Sequence, residues 1–270
     1  MIRDITIGQY YPAESEIHKL DPRTKLAATA VYIISLFTFK SVAGYLLAGA
    51  FLAMVIKLSK VPFSYIVKGL KPILFLLLFT AGFNLFLTPG QNILFQAGFL
   101  KVTMEGVETA VFMAVRLIML IIGSSLMTFT TTPNRLTDGL EHVMRPLKKF
   151  GVPVHEISMM MSIALRFIPI LLEETDKIMK AQIARGADFE SGNIIKRAKA
   201  MVPLLVPLFI SAFRRANDLA MAMEARCYRG GDGRTKMKPL CYQKRDYIAY
   251  ACIGLYLVGS IIVGRLKFLP

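Results

Sequence analysis

The chain has 270 residues, is 54% apolar with a mean hydropathy of +0.51, and carries 33 Lys and Arg against 18 Asp and Glu, a formal charge of +15. Soluble domains average about 45–50% apolar residues, so this pairing excludes an ordinary globular domain and points to apolar runs in lipid joined to basic surfaces in water. Cys227, Cys241 and Cys252 form an odd set without C-x-x-C spacing, which argues against a disulfide framework and against a zinc site.

Met1 to Tyr11 is polar, contains Arg3 and Asp4, and precedes no small-residue cleavage site, so no secretory leader is expected. Leu26 to Phe39 and Val42 to Ile56 are apolar runs separated by Lys40-Ser41, which predicts two short helices around a tight external turn. Each is shorter than the ~20 residues that span a bilayer untilted. Pro72 to Thr88 is a third span, with Pro72 in its first turn. Thr88-Pro89-Gly90-Gln91-Asn92 reads as a turn into a partly polar external loop ending near Gly106, and Val107 to Phe129 is the fourth span. Arg116 sits in the middle of that span, where an unpaired charge costs at least about 2.5–3.5 kcal/mol, so it must face protein.

Residues 131–245 then hold 20 basic and 11 acidic residues, a local net of +9. Thr132-Pro133 opens a helix running toward Lys149 that stops at Phe150-Gly151. Pro153 begins a second helix, with apolar residues Ile157, Met160, Met161, Ala164, Leu165, Ile168 and Leu171 at three- and four-residue steps. This helix reaches toward Arg185, broken or bent at Pro169. After a turn at Ser191-Gly192-Asn193, a third helix extends from Ile194 to about Cys227, with bends expected at Pro203 and Pro207. A helix of about 30 residues is about 45 Å long, so these two are long arms. Tyr247 to Gly264 is a fifth span, closed by Arg265 and Lys267.

Orientation follows from the distribution of Lys and Arg. With the N-terminus inside, Arg3, Lys19, Arg23, Lys25, Lys57, Lys60, Lys68, Lys71 and the 20 basic residues of the long region are cytoplasmic. Only Lys40, Lys101, Arg265 and Lys267 fall outside. The sequence thus predicts an all-α integral membrane protein: a transmembrane domain at 1–130, a cytoplasmic helical domain at 131–245 and a closing transmembrane helix at 246–270.

Ala184-Arg185-Gly186 ends the second long helix and Ala225-Arg226-Cys227 ends the third. Small neighbours leave each guanidinium free to project, and its rigid fork of donors suits a carboxylate pocket. The plainer reading is that an Arg in a last turn complements the helix macrodipole; the repetition of the pattern weighs against it. Met159, Met160, Met161, Met201, Met221 and Met223 crowd the same helices, and thioethers adapt to varied partner shapes, although each Met also serves as core filling. Ala212, Ala216 and Ala220 form a small-residue stripe that permits close helix crossing.

With Ile7-Gly8-Gln9-Tyr10 and the block His18-Lys19-Leu20-Asp21-Pro22-Arg23-Thr24-Lys25-Leu26, the two Arg motifs resemble the transmembrane T component of energy-coupling factor transporters, of the shared-module type, over essentially the whole chain. The resemblance implies a non-catalytic scaffold in the cell membrane whose coupling helices end in those motifs. Each motif's Arg, here Arg185 and Arg226, would dock into one of two ABC ATPases that bind ATP and Mg²⁺, with no cofactor or metal in this chain. The apolar helix faces, including the methionines, would hold a small substrate-binding S component for uptake of vitamins or other micronutrients. Cys227 departs from the glycine of the first motif but is also small.

Two other classes stand against this. A membrane enzyme would need more than the Glu173-Glu174-Thr175-Asp176 cluster, which reads as a solvated helix face, and His18, His142 and His155 are too scattered for a metal site or a general base. No Gly-x-x-x-x-Gly-Lys-Ser/Thr segment is present, so ATP work belongs to partners. A self-contained secondary transporter would be expected to have inverted repeats or broken midplane helices, and five spans offer neither. Nucleic-acid binding is suggested by charge alone; cytoplasmic topology and anionic lipid account for that charge.

Overall fold

The computed structural model describes residues 10–39, 41–70, 73–88, 93–97, 100–189, 193–231, 233, 237 and 239–265. Packing divides the chain into two units, one made from residues 8–140 with 240–270 and the other from residues 141–239. The division falls inside a helix rather than at a linker.

In the first unit a single turn, α1 (Glu16–Lys19), precedes α2 (Pro22–Thr38) and α3 (Val42–Ser59). The start of α2 follows from its sequence. Asp21 caps the helix by accepting from the Arg23 amide, and Pro22 occupies the first turn, where its missing N–H is harmless. Phe39 ends α2 and Ser41 caps α3, so the break at the Lys40-Ser41 pair lies where the sequence puts it, with Lys40 itself outside the described residues. A short amphipathic helix, α4 (Phe63–Leu70), follows and buries Ile66. The third apolar run forms α5 (Leu74–Leu87); Pro72 is outside the described residues.

The expected external loop contains an antiparallel pair, β1 (Ile93–Ala97) and β2 (Leu100–Thr103). Runs such as Ile93-Leu94-Phe95 favour extended backbone, a signal too short to stand out beside the spans. Thr103 then caps α6 (Met104–Thr130), whose start lies against the end of α5, with Gly106 beside the Leu85 carbonyl. Two apolar cores hold these helices together: one of Tyr32, Leu36, Phe39, Tyr45, Ala48 and Leu52, joined by Tyr256 of α10 (Lys244–Arg265), the other of Val61, Ile66, Leu126 and Phe129.

The unit boundary lies within α7 (Pro133–Met144). Its early residues belong to the first unit, Gly139 having no side chain where Pro22 Cβ would stand 3.0 Å away. A 3-10 turn over Arg145–Phe150 then ends at Gly151 in the left-handed conformation, φ 80°. The second unit is dominated by α8 (Val154–Ala184, 31 residues) and α9 (Ile194–Ala225, 32 residues).

Pro169, Pro203 and Pro207 lie inside helices that continue past them, so the break allowed at Pro169 does not occur. Pro207 has no N–H for the carbonyl of Pro203, four residues earlier, and that carbonyl instead accepts from the Gln182 amide of α8 at 3.2 Å. α3, α6, α8 and α10 are each long and apolar enough to cross a membrane, whereas α2, with 17 residues, and α5, with 14, are shorter. The chain is an all-α membrane protein with one short hairpin among its described residues.

Candidate docking site on two helix ends

Both Arg motifs close their helices with the same hydrogen-bond pattern. At the end of α8 the Gly186 amide donates to Ile183 O at 2.9 Å and the Ala187 amide to Gln182 O at 3.0 Å. At the end of α9 the Cys227 amide donates to Glu224 O at 2.9 Å and the Tyr228 amide to Met223 O at 3.0 Å. This pair of bonds defines a Schellman cap, which satisfies carbonyls a helix end would leave orphaned. It requires a left-handed residue just past the cap, supplied by Gly186 at φ 89° and Cys227 at φ 56°. Arg185 and Arg226 are the cap residues, with nearly identical backbones of φ −89°, ψ 5° and φ −92°, ψ 13°. Ala184, Arg185 and Gly186 are exposed, as are Ala225, Arg226 and Cys227.

α8 and α9 run antiparallel. Gln182 meets Pro203, Glu174 meets Ser211 and Arg215, and Ile163 and Phe167 share a cavity with Leu219, Ala220 and Met223. The two Arg therefore stand at opposite ends of the hairpin, roughly 35–45 Å apart at 1.5 Å per residue. Ala212, Ala216 and Ala220 line the approach, and the space of about 250 Å³ beside them is closed by Ile163, Phe167 and Met223. Glu174 clamps the pair, accepting from Ser211 Oγ at 2.7 Å and from Arg215 at 2.6 Å. That corrects the reading of the acidic cluster as only a solvated face: Glu173 is exposed, but Glu174 is an interhelical ligand.

The methionines divide. Met160, Met161, Met201 and Met221 are exposed, Met159 is half-buried, and Met223 is turned into the space between the helices. Met201 belongs to an unpartnered apolar face of α9 with Val202, Leu205, Phe209 and Phe213, all more than half exposed. Of this face only Met201 is singled out in the sequence, although steps of three and four residues carry it across Pro203 and Pro207.

The N-terminal block forms a polar clasp in the first unit. Asp21 holds Arg23 in a two-point ion pair, and Arg23 stacks over Tyr242 with its guanidinium carbon 4.1 Å from the ring centroid. Buried Asp246, at the start of α10, accepts from the Asp21 amide at 2.8 Å, from Thr24 Oγ1 at 3.3 Å and from the Gln243 amide at 2.8 Å. Lys25 Nζ donates to the carbonyls of His18 and Thr130, tying in the end of α6. His18 donates through Nε2 to Tyr11 O and accepts at Nδ1 from Ser15, and burial holds its pKa below the ordinary value.

Arg116 acquires the protein partners its depth demands: its Nε donates to the Tyr45 hydroxyl at 2.9 Å and its terminal nitrogen to Phe39 O at 3.4 Å. Among the described residues no three His, Cys, Asp or Glu side chains gather as a metal site.

Residues 13–237 match the family described as "Cobalt transport protein" (CbiQ). The chain is 60% identical over 267 residues to the energy-coupling factor transporter transmembrane protein EcfT of Clostridium kluyveri, covering 98% of each. It is 53% identical to that of Thermosediminibacter oceani, over 97% of this chain and 98% of the relative, and 51% identical to that of Bacillus subtilis, over 91% and 93%. The N-terminal clasp and the paired helix ends are thus features of a chain that belongs to the family of energy-coupling factor transporter transmembrane proteins.

Proposed function

We propose that this chain is the scaffold through which two partner ABC ATPases drive a small substrate-binding membrane subunit, in the uptake of vitamins or other micronutrients. One observation carries the reading: an antiparallel helix pair ends twice in the same capped turn, each presenting an exposed Arg between small residues. Among the described residues neither guanidinium is engaged within the chain, so each offers its fork of donors to an acidic pocket. Their separation suits one partner at each end. ATP and Mg²⁺ belong to those partners. Closing of the ATPases moves the Arg-tipped ends, and the stiff hairpin relays the motion to the bound subunit. The apolar face of α9 and the exposed methionines of α8 supply an adaptable seat for that subunit.

On this reading α8 lies on the cytoplasmic side although it is apolar enough to span. Arg145, Lys148 and Lys149 precede it and Arg185, Lys196, Arg197 and Lys199 follow it, so a crossing would expose one basic cluster outside. Anionic lipid neighbours the remaining positive charge.

The test is charge reversal. Arg185→Glu with Arg226→Glu should place like charges against acidic grooves, a penalty of several kcal/mol, and abolish co-purification of both ATPases. Full retention of the ATPases in a detergent pull-down would overturn the role of these residues.

A further inference from the structure

The first unit encloses an apolar cavity of about 310 Å³ between four helices. It is bounded by Leu20 and the first half of α2 (Thr24 to Tyr32), the second half of α3 (Phe51 to Leu58), the end of α6 (Gly123 to Thr130) and the start of α10 (Arg245 to Ile253). One side is flanked by exposed residues of α3 and α10, Met54, Leu58, Ile248 and Cys252, so the cavity opens laterally where a membrane protein meets acyl chains. Its volume suits a chain rather than a helix, since a helix about 10–12 Å across needs far more room for two turns of about 5.4 Å.

Polar groups gather at one end only. Lys25 and Arg245 supply two positive charges and Glu16 one negative charge, with Arg245 held 3.1 Å from Glu16. Lys25 uses two of its three donors on the carbonyls of His18 and Thr130 and keeps the third. The charged residues that line the rim thus carry one more positive than negative charge, with Asp21 and Asp246 standing behind Lys25. In the wall, Tyr32 is only 4% exposed, and its hydroxyl, without a hydrogen-bond partner among the described residues, is closed off from the cavity, so the wall is apolar. Gly123 makes room for the ring, because a Cβ there would stand 2.7 Å from it.

The geometry points to a site for one anionic phospholipid, with an acyl chain in the cavity and the phosphate at Arg245 and Lys25. The site is independent of the ATPase-docking role of Arg185 and Arg226. It ties a lipid to the junction of the first and last membrane helices, the junction that Asp246 and the N-terminal block clasp.

The experiment is native mass spectrometry of the delipidated full chain with phosphatidylglycerol, with phosphatidylcholine of the same acyl composition, and with palmitate. The wild type should retain one phosphatidylglycerol in preference to phosphatidylcholine by roughly fivefold or more, the size expected of one or two basic groups near a headgroup. Ala249→Phe and Cys252→Phe, which fill the cavity from α10, should abolish retention while thermal melting reports the fold. Should one of them not fold, the other decides. Arg245→Ala should keep the fold and lose the preference. Equal retention of the two phospholipids, equal retention of palmitate, or unchanged binding by a folded cavity-filling variant overturns the proposal. Stoichiometric expulsion of the lipid by a co-purified membrane subunit would assign the cavity to that subunit and overturn it as well.

Discussion

Cys227 and Gly186 occupy the same position in two helix ends, and only one of them is suited to it. A left-handed backbone costs a non-glycine residue about 1–2 kcal/mol, because its Cβ crowds the following carbonyl. Cys227 at φ 56° bears that strain while making the same two cap hydrogen bonds as the glycine-containing end. Cys227→Gly should therefore stabilise the chain by about 1 kcal/mol, a rise of about 2–4 °C in the melting temperature, after part of the gain is offset by glycine's freedom in the unfolded chain. Gly186→Ala should shift it the opposite way by a similar amount. A cysteine variant melting at or below wild type would mean that the thiol makes an interaction outweighing the backbone strain. Arg116 presents a different residue-scale problem, a full charge at membrane depth. Its solution is the end of α2, where the Phe39 carbonyl carries part of the negative pole of the helix and Tyr45 adds a hydroxyl.

At the scale of elements, the strongest joint in the first unit links two helices distant in sequence. Asp246 is the third residue of α10, and by accepting from the Gln243 amide it completes half of a capping box. Its other oxygen takes the Asp21 amide and the Thr24 hydroxyl, so one carboxylate organises the starts of both α2 and α10. Asp246→Ala leaves the buried Asp21 backbone donor unpaired and removes the cap on exposed Gln243, and should destabilise the chain by about 2–3 kcal/mol. Hydrogen exchange should accelerate at the starts of both helices together. Acceleration at α10 alone would show that α2 does not depend on the carboxylate.

The sequence carried the local half of this arrangement and not the distant half. The Lys40-Ser41 break, Gly151 and the two Arg-containing ends are read from residues within a few positions of one another, which is why those boundaries were legible, whereas α2 starts at Pro22, four residues before the apolar run at Leu26 that marked it in the sequence. The Asp21–Asp246 bond, the Glu174–Arg215 clamp and the partners of Arg116 join residues from 41 to 225 positions apart, and no periodicity encodes such pairs. The prolines of α8 and α9 interrupt neither helix. Their cost is met locally, as where Gln182 donates to the carbonyl that Pro207 leaves unpaired, so long helices survive residues that would break isolated ones.

At the scale of the whole molecule, the starts of α2 and α10 and the ends of α3 and α6 surround one cavity, so those four helices alternate in direction and share one basic end. Lys25 and Arg245 lie at that end, and Lys57 and Lys60 close α3 there, the bias of positive charge on which the proposed cytoplasmic placement of this end rests. α8 is the element on which topology turns, because it satisfies the length and apolarity of a span. Were it to cross, its end at Arg185 and the start of α9 would face outside, whereas the end of α9, antiparallel to α8, would stay beside the start of α8; on the cytoplasmic reading all of them face inside. Exposed Ala184 is a place for a reporter of the difference. In an Ala184→Cys variant with Cys227, Cys241 and Cys252 replaced by Ser, a membrane-impermeant maleimide should label position 184 in inverted vesicles and leave it unlabelled in intact cells. Labelling in intact cells would put α8 through the bilayer, remove Arg185 from the cytoplasm and rule out its proposed contact with an ATPase.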